Sequence, residues 1–147
     1  MKNIKITLSI ILLFIITSTN AQSVIGKWKT IDDETKKAKS IVEIYEIDGQ
    51  LYGKVLKLFR GPDEDQDPIC DLCDEDDDRK DQKVIGMEII RQMEWDEDEW
   101  DDGTILDPKD GKVYDCKLWI DEDDPNKLSV RGYIAFFFRT QVWLRYE

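Results

Sequence analysis

Histidine is absent from all 147 residues. Its absence removes Ser-His-Asp and Cys-His catalysis and takes away the commonest ligand for zinc and copper. Positive charge is scarce as well: 21 lysines and arginines stand against 33 aspartates and glutamates, a net charge of −12. Such a balance repels nucleic acid and anionic membrane, so neither is an expected partner. The chain has no internal repeat and no long helical pattern. It also lacks an apolar run long enough to cross a bilayer as a stable helix. Its one sustained run, Ile6 to Ile16, falls short of the about 20 residues required.

The flanks of that run give it another meaning. Lys2 and Lys5 precede it, and the small or polar residues Thr17 to Ala21 follow, the order of a secretory signal. Thr19 and Ala21 stand where a signal peptidase requires small side chains, so cleavage is expected before Gln22. No cysteine follows the cut, so no lipid anchor is expected. Residues 1–21 carry two lysines and no acid, so the mature chain keeps 19 basic and 33 acidic side chains, a charge of −14. The expectation is a periplasmic or secreted protein with one domain, residues 22–147, and no membrane association after cleavage.

Within that domain the pattern is of strands. Val24 to Ile31 reads as the first, Ile41 to Ile47 as the second, and Asp48-Gly49 as a two-residue hairpin turn into Leu51 to Phe59. Residues 61–83 hold eleven acids, two prolines, Cys70 and Cys73, and read as a long loop. Val84 to Met93 reads as a strand with Ile85, Met87, Ile89 and Met93 on one face. Trp95 to Trp100 reads as a turn leading into Gly103 to Leu106, and Asp107 to Gly111 as the next. Tyr114, Cys116, Leu118 and Ile120 then alternate inward, followed by Leu128, Val130, Gly132, Ile134 and Phe136 on the next strand. The last strand runs from Phe137 to Tyr146, with Phe136, Phe138, Val142 and Leu144 as packing candidates and Trp143 with Arg145 as a closing motif. About eight strands joined by hairpins, each with one apolar face, are best served by closing the sheet into an antiparallel barrel, because closure removes both exposed edges. A barrel of that size either fills with side chains or holds one small ligand.

Chemistry-bearing residues are few. Cys70-x-x-Cys73 in an exported protein predicts a tight disulfide. A redox role would need cations near the thiols, and the neighbours are Asp67, Asp71, Asp74 and Glu75. A metal site would have only Cys116 and carboxylates to draw on. Cys116 reads as a small buried hydrophobe, or as an alternative disulfide partner. The acidic run Asp74 to Asp78 fails as a helix-loop-helix calcium loop, with Arg79 where glycine is needed and Ile85 where glutamate is needed. Carboxylate pairs such as Glu43 with Glu46, or Asp96 with Glu99, arise by chance in so acidic a chain. Arg131 and Tyr133 beside Gly132 read as a cross-strand pair on the outer face, with a polar patch at the barrel mouth as the alternative.

The blocks GKWKT at 26–30, SIVEIYEIDGQLYGKV at 40–55, CDLC with the later VIGMEI in 70–89, GTILDPKDGKVYDCKL ending at 118, VRGY and the terminal RTQVWLR resemble a family of small exported bacterial proteins. It is the domain-of-unknown-function 2147 family, of lipocalin-like (calycin) fold. The resemblance implies an all-β, up-and-down lipocalin-like barrel with the acidic loop at 61–83, and no established activity. It also implies that Gly26 and Trp28 of the first strand pack under an arginine from near the last strand, with Arg145 the first candidate and Arg139 the second. A guanidinium over an indole face contributes roughly 0.5–2 kcal/mol.

The reading that follows is a non-enzymatic exported barrel binding a small, partly apolar ligand, with Tyr114, Leu118, Ile134 and Phe136 as ligand-lining candidates and no cofactor or metal. The alternative is a protein-interaction module in which a filled barrel carries the acidic, cysteine-containing loop. An unrecognised enzyme is the third.

Overall fold

The computed structural model describes residues 23–147. The expected signal segment 1–21 lies outside the described residues. Eight strands follow in order: β1 (Gly26–Ile31), β2 (Ala38–Ile47), β3 (Gln50–Leu58), β4 (Glu88–Asp96), β5 (Glu99–Asp107), β6 (Lys112–Ile120), β7 (Lys127–Ile134) and β8 (Phe137–Arg145). Each pairs antiparallel with the next, and β8 returns to β1, closing the sheet into the expected up-and-down barrel.

The turns decide where the strands fall. Asp48 and Gly49 take φ of 52° and 81°, the left-handed pair that a two-residue hairpin requires, with Ile47 paired to Gln50. Glu97 (φ 55°) and Asp98 make a similarly tight turn, so β4 and β5 run on through the acidic stretch expected to be a turn. Trp95 and Trp100 pair across that ladder with ring centroids 5.4 Å apart. Ala135 (φ 50°) and Phe136 turn β7 into β8 with Ile134 opposite Phe137. Phe136 therefore sits at a hairpin tip, 99% exposed, and not on an inward face.

Two further expectations are corrected. The strand placed at Val84 begins at Glu88, because Val84 to Met87 forms a turn (Met87 N–H to Val84 C=O, 3.1 Å) with Ile85 exposed and Gly86 at φ 91°. In β4 itself Ile89 and Ile90 are both buried and Gln92 has φ 57°, so the ladder to β3 is irregular and the simple alternation fails. On β8, Phe138, Val142 and Leu144 are the exposed row, Phe138 also reaching the edge of the opening. The inner row is Arg139, Gln141 and Trp143.

The barrel has a packed end and an open end. Trp28, Ile44, Leu51, Met93, Leu118 and Leu128 are fully buried toward the end where β1 begins and β8 finishes. There the Arg145 guanidinium lies 4.2 Å from the Trp28 ring centroid and donates to the carbonyls of Ser23 (3.1 Å) and Pro125 (3.3 Å). The Trp28 Nε1–H donates to the Val24 carbonyl at 2.8 Å. Gly26 is required for its backbone, φ 135°, and not for close approach: a Cβ there would meet Arg145 Nη1 at an ordinary 3.5 Å. Pairing of β1 with β8 is short, Trp28 to Arg145 and Lys29 to Leu144. Toward the other end the two strands part.

Candidate functional site

At the open end, β1, β3, β5 and β7 finish and β2, β4, β6 and β8 begin. Between them lies a cavity of about 490 Å³. Its walls include Val55, Ile89, Leu106 and Val130, and its inner limit is Trp143. They come from five different strands, and outside the irregular β4 the period-two alternation of the pleat places them on one surface. Polar groups are few inside. Thr30 Oγ1 and Ser40 Oγ are 2.7 Å apart and both residues are buried, each hydroxyl satisfying the other. Gln141 accepts from Trp143 Nε1–H at 3.1 Å.

The rim is charged. Lys39, Arg60, Lys109 and Arg139 line the opening together with Asp71, Asp107 and Asp110. The Tyr114 hydroxyl donates to Asp110 at 2.8 Å, and this bond together with burial pushes its pKa up to about 12. It is a neutral donor at any physiological pH. Arg139 pairs with Asp33 of the β1–β2 turn, to which Gln141 also donates at 3.0 Å. Burial acts to raise the Asp33 pKa, and the hydrogen bonds from Arg139 and Gln141 outweigh it, leaving the carboxyl below its ordinary value.

The long connection between β3 and β4 covers part of this opening, with Pro68, Ile69 and Val84 turned toward the cavity. Cys70 and Cys73 form the expected disulfide, Cα atoms 5.4 Å apart. Both are buried, and Cys116 is free and buried in the barrel wall, where desolvation pushes its thiol pKa up. The cap is also pinned by ion pairs that its composition hides. Arg79, 6% exposed, donates twice to Asp77 (2.8 and 2.7 Å) and once to the Glu88 carbonyl (3.2 Å). Those bonds hold the Asp77 carboxyl well below the usual range. Arg91 of β4 grips Asp78 through both terminal nitrogens (2.7 and 3.0 Å). On the far side the cap lies against the β5–β6 turn. A Cβ on Gly111 would come within 1.9 Å of the Leu72 carbonyl oxygen, and its φ of 71° excludes most side chains in any case.

Of the four expected ligand-lining residues, the structure brings Tyr114 and Ile134 to the cavity. Leu118 lies deeper, fully buried in the packed core, and Phe136 points out at the β7–β8 tip. Arg139, the second candidate for Trp28, stands at the mouth, and Arg145 holds Trp28. Arg131 stacks between Trp119 (4.9 Å) and Phe138 (4.7 Å) on the outer face, as expected for cross-strand pairing. Thr30, Ser40 and Gln141 carried no sequence signal. Arg79 and Arg91 carried little more: Arg79 follows the acidic run Asp74 to Asp78 but stands beside Lys80, and Arg91 sits in a largely apolar stretch.

Comparison with known proteins places this geometry. The family described as "Uncharacterized protein conserved in bacteria (DUF2147)" matches residues 26–145, the whole barrel. The chain belongs to this family. Its barrel is similar to that of a solved structure, "Protein HP1028 from the human pathogen Helicobacter pylori belongs to the lipocalin family", with a TM-score of 0.69, 16% identity and coverage of 85% of this chain and 84% of that one. At that identity the likeness establishes a lipocalin-like fold alone. No curated protein matches the chain.

Proposed function

We propose that this DUF2147 member is an exported binding protein that holds a small, largely apolar molecule in the barrel cavity. The observation that carries the reading is the unfilled interior. An eight-stranded barrel has just enough room to fill itself with side chains, and this one does so at only one end. The remaining 490 Å³ falls within the range of about 300–1,000 Å³ typical of small-molecule sites, with apolar walls and few placed polar groups. The interaction-module reading needs a filled barrel, and the cavity weighs against it. Export is carried by the signal pattern of residues 1–21, and purification from the native cell should give a mature chain beginning at Gln22.

The test is native mass spectrometry of protein isolated from its own cells. The expected spectrum contains a one-to-one adduct of a small molecule that disappears on denaturation. Repeatedly empty spectra, from preparations that keep the barrel folded, would overturn the reading.

A further inference from the structure

The cavity mouth is richer in cations than the molecule as a whole. The chain as a whole carries −12, yet four of the seven charged residues that line the opening are cations. Two of the three acids among them are engaged locally, and the third, Asp71, makes no side-chain bond among the described residues. Asp110 accepts the Tyr114 hydroxyl and the Lys112 backbone N–H, at 2.8 and 2.9 Å. Asp107 accepts the Lys109 backbone N–H at 3.0 Å and lies 3.9 Å from Lys39 Nζ.

Arg139 and Gln141 occupy successive inward positions of β8 and converge on a single oxygen, Asp33 Oδ2. The orientation of the Gln141 amide is fixed by its other neighbour. The Trp143 indole nitrogen can only donate, so the amide oxygen must face it and the amide NH₂ must face Asp33. The result is a fork of donors at the cavity mouth, filled by a carboxylate that the β1–β2 turn supplies. Asp33 itself is not among the residues lining the cavity. The Arg139 side chain is 66% exposed, so releasing Asp33 to water costs little.

We propose that this fork is the head-group site of the cavity, and that the ligand is an amphipathic carboxylate of the fatty-acid type. Its carboxylate takes the place of Asp33 on Arg139 and Gln141, and its apolar body runs past Leu106 and Val130 toward Trp143. Arg60 and Lys109 add positive potential at the same opening. Charge-assisted donors of this kind fix the orientation of the ligand, and the apolar wall supplies the rest of the affinity. The inference rests on the carrier reading above.

The experiment is displacement of a neutral phenylnaphthylamine dye from the full barrel by decanoate and by decanol, in the wild type, Arg139→Gln and Asp33→Asn. The wild type should prefer decanoate by roughly tenfold, a difference of about one charge-assisted contact at a half-open mouth. Arg139→Gln should abolish the preference, and Asp33→Asn, which removes the internal competitor, should widen it. Decanol is the reference in each protein, so the preference is read as the ratio of the two competitors. Equal displacement by the two competitors in the wild type, or a preference that survives Arg139→Gln, would overturn the head-group site while leaving the carrier reading in place. Failure of both dye and decanol to bind would overturn the carrier reading and this inference with it.

Discussion

Removal of the Trp28 side chain tests the packed end of the barrel. Trp28 is fully buried, its indole N–H is bonded to the Val24 carbonyl, and its ring lies under the Arg145 guanidinium. Trp28→Ala should cost about 3–5 kcal/mol, the range for large aromatic truncations in cores. For a domain of this size that is a fall in melting temperature of very roughly 12–20 °C. Trp28→Phe keeps a ring beneath the guanidinium and loses the N–H bond, and should add about 1 kcal/mol of loss to the smaller packing defect. The stacking itself is isolated by a cycle with Arg145→Met. That variant also gives up the bonds to Ser23 and Pro125, but those losses cancel in the cycle. Urea unfolding of the wild type, Trp28→Ala, Arg145→Met and the double variant should return a coupling of roughly 0.5–2 kcal/mol. A coupling within about 0.3 kcal/mol of zero, or a Trp28→Ala midpoint equal to the wild type, would refute the account of closure.

Gly111→Ala should destabilise by about 2 kcal/mol or more, since it combines a left-handed backbone with a collision against the Leu72 carbonyl, and it should speed ligand exchange by loosening the cap; stopped-flow dye release at an unchanged rate would contradict this. Asp77 has its folded pKa depressed, so its contribution to stability is complete above the unfolded carboxylate pKa of about 3.9 and is lost as pH falls toward the folded value. Asp77→Asn should therefore be less stable than wild type at neutral pH, with the gap closing in strong acid, and a gap that grows as pH falls would reverse the sign of the argument. Alkylation with iodoacetamide should modify no cysteine in the folded, unreduced protein, one (Cys116) after denaturation without reductant, and all three after reduction; rapid labelling of Cys70 and Cys73 in the native state would exclude the disulfide.

The barrel was legible wherever local chemistry and global fold agreed. Asp48-Gly49 specified its hairpin and the alternation from Tyr114 to Ile120 specified β6, while the placing of Arg145 on Trp28 at the closed end came from the family resemblance. The β7–β8 turn was hidden because Ala135-Phe136 has none of the residues that usually accept a left-handed backbone. The faces of β8 were read the wrong way round for a related reason. Apolar periodicity finds the side of a strand that meets the core, but the inner row of β8 faces a charged mouth with Arg139 and Gln141 while Phe138, Val142 and Leu144 lie outside. The cap was legible as a loop and its disulfide as a pair. Its attachment was not, because Arg79 and Arg91 act through geometry that spacing does not encode.

The proposed binding function rests on the open space above Trp143, and Val130→Phe probes that space directly. Val130 is 3% exposed and lines the cavity, so a larger ring there has room to enter. Titration with the neutral naphthylamine dye should give one saturable site in the wild type and a weaker one in Val130→Phe, whose urea midpoint should stay close to the wild-type value. No saturable binding by the wild type, or undiminished binding in the variant, would contradict the account; so would a loss of about 1–3 kcal/mol, the signature of a core already full.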